Sequence, residues 1–267
     1  MLGAIIGDTI GSRFEFNNHR SKDFELFTKD NELTDDSIMT LAVVDILLNN
    51  KINDTDAIID TIKEWGNLYP YAGYGGMFRQ WLFSNMRKPY NSYGNGSAMR
   101  ISPVGFLASS EDQVVEWATK VTEVTHNHPE GIKGAIVTAM CVYYAKNGKD
   151  KNFIRNYVEQ YYDINFEYSK LKKEYYFNET CQETVPQAIY CFLISNSYED
   201  CIRTCVSIGG DTDTVCAIAG GIAEAYYKIP LTLKFNILKY LDERQTNIIT
   251  KYYDKLESPG EWNVKKY

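Results

Sequence analysis

Apolar residues recur at three- and four-residue intervals along most of this chain, and only a few short stretches alternate with the period of two that a half-buried strand needs. That spacing predicts an all-α fold. After Thr34, the residues Ile38, Met39, Leu41, Ala42, Val43 and Ile46 make one broad helical face that stops before Asn49 and Asn50, with Thr34 as its natural N-cap. Ser110 and Gln113 have the spacing of a capping box for a helix that turns Val114, Val115, Ala118 and Val121 inward. Pro129 suits the first turn of a helix through Ile132, Ile136, Ala139, Met140 and Tyr143. Pro186 reads as the opening of another, carrying Ile189, Cys191, Phe192 and Leu193, and Ser197 caps one that runs to Ser207.

Gly3, Gly7 and Gly11 fall at i, i+4 and i+8, so three missing side chains share one helical face despite a propensity penalty of about 1 kcal/mol each. Another backbone can approach there. The same device recurs at Ala217, Gly220, Gly221 and Ala225, and the two segments are expected to form a buried central pair. The tyrosine- and lysine-rich stretch Lys146 to Phe177 reads as a peripheral hairpin. With no linker, repeat or low-complexity block, residues 1–267 are expected to form a single domain.

Composition narrows the function classes. A hydrophobic share of 44% and a charged share of 24% supply a core without disulfides. Lys and Arg number 28 against 35 Asp and Glu, a net −7 with no basic stripe, which argues against general nucleic-acid binding. The six cysteines form no CxxC pair and lie in apolar stretches, as reduced core residues do. With only His19, His126 and His128 besides, any metal should be held by oxygen. The opening segment meets Asp8 without a basic flank, and no run approaches the roughly 18 apolar residues of a membrane span. A cytoplasmic monomer with no membrane partner is the expectation.

Two acidic clusters, Thr34-Asp35-Asp36-Ser37 and Gly209-Gly210-Asp211-Thr212-Asp213-Thr214, each precede a strongly apolar helix. Helix capping explains either one alone, because Thr and Asp accept orphan N–H groups and acids suit the positive end of the dipole. Together they hold more acceptors than two helix starts can use. If both face one cleft, like charges about 4 Å apart repel by roughly 4 kcal/mol per pair at an effective dielectric near 20, and the site demands cations. Such a donor set fits Mg²⁺, Mn²⁺ or Ca²⁺, and four acids balance two divalent ions. An EF-hand loop fails, since the later Gly is missing and Ile222 stands where a bidentate Glu belongs. Asp211 to Val215 also matches the Asp-x-Asp-x-Thr/Val signature of haloacid dehalogenase-like phosphatases, but late in the chain and ahead of a helix.

Gly7-Asp8-Thr9-Ile10-Gly11 with Glu15, Thr34-Asp35-Asp36-Ser37, Gly94-Asn95-Gly96-Ser97-Ala98-Met99-Arg100, Thr125-His126-Asn127-His128-Pro129 and Gly209-Gly210-Asp211-Thr212-Asp213-Thr214, in that order, resemble the ADP-ribosylglycohydrolase family. The blocks run from residue 3 to about 227. The resemblance implies a single compact domain of orthogonally packed helices and a centre of two Mg²⁺ or Mn²⁺ ions. It also implies hydrolysis of the bond between ADP-ribose and an acceptor, either a modified protein or a small conjugate. Thr34, Asp35, Asp36, Asp211, Asp213 and Thr214 would be the metal ligands, with Glu15, Asp35 and Asp213 in catalytic roles. Ser37, Ile38 and Cys216 depart from common family residues without removing a ligand.

The glycine blocks suit turns, yet each leads into a helical pattern where N–H groups can close on a pyrophosphate. Gly75, Gly76, Gly94, Asn95, Gly96, Ser97, Met99 and His126 are the expected substrate contacts. Tyr74, Phe78 and Tyr93 are candidates to stack on adenine, and Arg100 pairs with either phosphate or a buried acid. Two other classes remain at this stage: a non-catalytic ADP-ribose binder of crystallin-like type, and the phosphatase.

Overall fold

The computed structural model describes residues 1–256, so the last eleven positions of the expected single domain lie outside the described residues. Its helices are α1 (Leu2–Ser12), α2 (Asp35–Leu48), α3 (Thr55–Leu68), α4 (Gly76–Leu82), α5 (Gly96–Met99), α6 (Ser102–Leu107), α7 (Glu111–Glu123) and α8 (Pro129–Lys146). They continue as α9 (Lys151–Val158), α10 (Tyr168–Glu174), α11 (Cys181–Ile194), α12 (Tyr198–Ile208), α13 (Thr212–Tyr226), α14 (Leu231–Ile237) and α15 (Glu243–Lys255). No strand forms among the described residues, and the fold is all-α; Gly94 and Thr180 make an isolated antiparallel bridge.

The glycine stripes meet as expected. Gly3 abuts Gly220, Gly7 abuts Cys216, and Gly11 abuts Thr212 and Asp213, an order that runs α1 antiparallel to α13. A Cβ on Gly11 would lie 2.6 Å from the Asp213 Cα, so only glycine permits this approach. Around this pair pack α2, α8, α11 and α12, and the six cysteines are buried and free in the surrounding core.

Local chemistry sets most helix starts. Thr34 Oγ1 accepts from Asp36 N at 3.3 Å, Ser197 Oγ from Asp200 N at 3.1 Å, and Pro129 opens α8. Ser110 caps α7 through Gln113 N at 3.2 Å, but Gln113 Oε1 takes Ser109 N instead of closing a box on Ser110. Val115 is 42% exposed, contrary to the inward face expected of it. In α8 the buried face runs through Gly134, Ala135, Val137, Thr138 and Cys141, leaving Ile132, Ile136 and Tyr143 half-buried.

Pro186 does not open its helix. It lies inside α11, which starts five residues earlier, where Cys181 N donates to Tyr93 O at 3.0 Å across the Gly94–Thr180 bridge. Nor is Lys146 to Phe177 a peripheral hairpin. It forms α9 and α10, buries Ile154, Val158 and Ile164, and seats the Tyr175 ring against Gly210. Among the described residues no helix is long and apolar enough to cross a membrane.

Candidate active site

The antiparallel pairing of α1 and α13 dictates where the acids meet. The chain leaving α1 carries Glu15 to the entry of α13, where Asp211 is the N-cap and Asp213 and Thr214 occupy the first turn. Carboxylate oxygens of Glu15, Asp211 and Asp213 lie within 4.8 Å of one another. Asp8, fully buried in α1, fixes the other cluster. It accepts from Thr34 N at 3.1 Å, Thr34 Oγ1 at 2.7 Å, Ser37 N at 3.0 Å and Ser37 Oγ, and so clamps the start of α2 against α1. Thr214 Oγ1 then donates to Asp36 Oδ2 at 3.3 Å, joining two clusters that lie 178 positions apart.

Burial and mutual repulsion act in one direction here. Burial first, then Asp213 and Asp8, raise both Asp35 and Asp36 well above the ordinary carboxylate range. Burial and then Asp211 raise Asp213 likewise. Asp211 is pushed up to about 7 by burial against the pull of hydrogen bonds, among them Asn95 Nδ2 at 2.6 Å. Glu15 rises to about 8 through burial, Asp213 and Asp8, and Asp8 to about 6 through burial. Asp36 Oδ1 is buried with no hydrogen-bond partner. An orphaned carboxylate oxygen among crowded acids at two helix N-termini is a donor set suited to hard divalent cations, and the residues fit such ions.

The acids head a cleft whose walls include Gly75, Gly76, Gly94, Asn95, Gly96, Met99 and His126, all expected from sequence. A Cβ at Gly75 or Gly76 would meet nothing within 4 Å, so these backbones stand open. His126 shares its Nδ1 with Thr125 Oγ1 at 2.8 Å, and burial followed by the Arg100 charge lowers its pKa well below the usual range, leaving it neutral.

Other expectations need correcting. Ser97 faces away from the cleft, its Oγ donating to Gly131 O at 2.8 Å. Thr34 is committed to Asp8 and to capping, below the cleft wall. Phe78 lines the cleft, whereas the Tyr74 hydroxyl donates to Tyr69 O and Tyr93 packs on His128, outside it. Arg100 is buried at the cleft without an acid partner among the described residues; it donates to Thr125 Oγ1 at 2.9 Å and to Val121 O. His128 caps α8 by accepting from Glu130 N.

Sequence reasoning passed over Tyr90, Ser92, Met77 and Glu179, and quoted Asp8 within the Gly7–Gly11 block without giving it a role. Only Asp8 carried a signal, as a lone acid inside an apolar, glycine-striped segment. A wider surface groove of about 740 Å³ between α2 and α15 offers no comparable centre, because its one buried acid, Asp45, is satisfied by Trp65, Asn49 and Lys51.

Fold and site together describe an all-helical enzyme with an oxygen-donor centre at the head of a glycine-walled cleft. The ADP-ribosylglycohydrolase family model matches residues 1–258, and the chain belongs to that family. Its activity is hydrolysis of the glycosidic bond between ADP-ribose and an acceptor. Human ADP-ribosylhydrolase ARH3 is 28% identical, the alignment covering 85% of this chain and 84% of that one. ADP-ribosylhydrolase ARH3 of Xenopus tropicalis is 26% identical over 91% of each. The ADP-ribosyl-dinitrogen reductase glycohydrolase of Rhodospirillum rubrum is 26% identical, over 85% of this chain and 84% of the relative. A solved chain from an ADP-ribosylglycohydrolase-related protein complex shares the fold at a TM-score of 0.70 and 20% identity, covering 97% of this chain and 95% of that one. The phosphatase reading falls: Asp211 to Val215 opens a helix instead of ending a strand. The enzyme assignment likewise displaces the non-catalytic binder.

Proposed function

We propose that this enzyme frees ADP-ribose from a modified protein or small conjugate with the help of two Mg²⁺ or Mn²⁺ ions, acting as a cytoplasmic monomer. The observation that carries this reading is the junction of the two acid clusters at Thr214 and Asp36, beside the grouped oxygens of Glu15, Asp211 and Asp213. Asp35, Asp36, Asp211, Asp213 and Thr214 hold the cations, and four aspartates balance two divalent ions. When bound, divalent ions supply positive charge that acidifies water and a template for vicinal ribose hydroxyls.

The chain's own groups divide the rest. Of Asp35 and Asp213, one accepts the single proton of the attacking water and the other orients that water. Glu15, whose carboxylate stands within 4.8 Å of those of Asp211 and Asp213, gives a proton to the leaving group. The open backbones at Gly75 and Gly76 let the diphosphate approach between them and the Gly94–Gly96 wall, with Asn95 beside Asp211, while Phe78, Tyr90 and Met99 wall the adenosine end and neutral His126 orients the ligand.

The test is a panel of ADP-ribose linked to arginine, to serine and as an acetyl ester, assayed for free ADP-ribose with EDTA and after restoring Mg²⁺ or Mn²⁺. Release that EDTA stops and metal restores supports the reading. Binding of ADP-ribose with no release from any linkage overturns it.

A further inference from the structure

Of the three grouped acids Glu15, Asp211 and Asp213, Glu15 alone belongs to neither a helix nor a cap: α1 ends at Ser12, and the following residues form turns and bends. Its carboxylate nevertheless stands within 4.8 Å of those of Asp211 and Asp213, whose like charges push it outward. Something other than helix geometry must hold it.

Asn18, three residues on, makes that attachment. Its Nδ2 donates to Phe14 O at 2.8 Å, Glu15 O at 3.1 Å and Gly210 O at 3.0 Å, while its Oδ1 accepts from Gly210 N at 2.8 Å. One carboxamide therefore closes the Glu15 turn on itself and pins it, in both directions, to the residue preceding Asp211. A carboxylate cannot donate, and an apolar side chain can do neither. The receiving turn is shaped for this group: Gly209 and Gly210 have φ of 74° and 82°, and a Cβ on Gly209 would lie 2.7 Å from Asn18 Oδ1. Behind it Arg20 donates to Lys172 O at 2.7 Å, Tyr175 O at 2.5 Å and Ile208 O, anchoring the far end of the segment.

We propose that Asn18 is a positioning residue for the reaction, acting through Glu15 by locking the Glu15 turn onto the Gly209–Gly210 turn that presents Asp211 and Asp213. This rests on the role given to Glu15 above.

Asn18→Ala and Asn18→Asp, alone and combined with Glu15→Gln, test it. The measurements are ADP-ribose release with saturating Mg²⁺ or Mn²⁺, calorimetric affinity for ADP-ribose, and hydrogen exchange of residues 13–20. Asn18→Ala is expected to lower kcat about 10- to 100-fold, with KM and ADP-ribose affinity within about threefold of wild type. Amide protection should be lost at Phe14 and Glu15, whose N–H groups donate to Gly11 O and Ser12 O, and kept in α13. Asn18→Asp, which retains the acceptor but adds charge, should lose at least as much and serves where the alanine variant does not fold. In the Glu15→Gln background the Asn18 change should cost nothing further, within about twofold. Wild-type kcat in either variant, effects that multiply with Glu15→Gln, or an affinity loss that tracks kcat overturns the proposal. If wild type releases no ADP-ribose from any linkage, the functional reading fails, and unchanged exchange at Phe14 and Glu15 in the variants then overturns the Asn18 assignment on its own.

Discussion

Gly11→Ala brings sequence preference and packing into direct conflict. On helix propensity alone, alanine at position 11 stabilises α1 by about 1 kcal/mol. Against the neighbouring helix, its Cβ would lie 2.6 Å from Asp213 Cα, 2.7 Å from Thr212 O and 2.8 Å from Asp213 N. Ordinary contact begins at 3.4 Å, so α1 and the start of α13 must part by about 0.8 Å, the difference of 3.4 and 2.6. The opposing atoms are backbone, and no rotamer change relieves them. Overpacking of this kind costs about 1–3 kcal/mol, and the upper end applies, leaving a net destabilisation of about 2 kcal/mol. For a chain of this size that lowers Tm by roughly 4–8 °C. The displaced atoms carry Asp213 and lie beside Glu15, and a shift near 1 Å at reacting groups costs about 10²-fold in turnover. Urea unfolding followed by far-UV circular dichroism, with ADP-ribose release at saturating Mg²⁺, reads both effects. Gly75→Ala, with nothing within 4 Å of its Cβ, is the stability control and should stay within about 0.5 kcal/mol. A Gly11→Ala protein stabilised by the propensity amount and fully active would refute the close-approach argument.

Asp213→Ala should cut metal-dependent release by about 10³-fold or more while the helical spectrum stays unchanged; retention of a tenth of wild-type turnover would count against its place in the centre. Without divalent cations the protein should lose stability as pH rises. The folded carboxyls of Asp8, Asp211 and Glu15 titrate at about 6, 7 and 8, above their unfolded values, so between about pH 4 and 8 the unfolded chain binds fewer protons and ΔG falls with pH. Metal-free Tm should therefore be higher at pH 5 than at pH 8, and saturating Mg²⁺ should close the gap at pH 8; a flat metal-free profile contradicts the buried acid cluster.

Local chemistry made much of this structure readable in advance. The caps at Thr34 and Ser197, the first-turn Pro129 and the glycine stripes of α1 and α13 act through neighbours in sequence or through a missing side chain, and both are visible in a string of residues. What escaped reading depends on distant partners. The start of α11 is set by Tyr93 O, eighty-eight positions away, which overrides the local signal of Pro186. Asn18 carries no pattern of its own, and Asp8 stands out only as a lone acid in an apolar segment; their importance comes from Thr34, Ser37 and Gly210 arriving beside them in the fold. Ser97 shows the reverse, a residue in a suggestive glycine block whose hydroxyl folds inward to Gly131 O.

Anomalous diffraction from a crystal soaked in Mn²⁺ tests most directly whether the acids of α1's exit, α2 and α13 form one cation centre. The account predicts manganese peaks between Asp36 and Asp213, within coordination distance of the oxygens of Asp35, Asp211 and Thr214. Well-ordered acids with manganese bound only elsewhere, or not at all at saturating concentration, would contradict it.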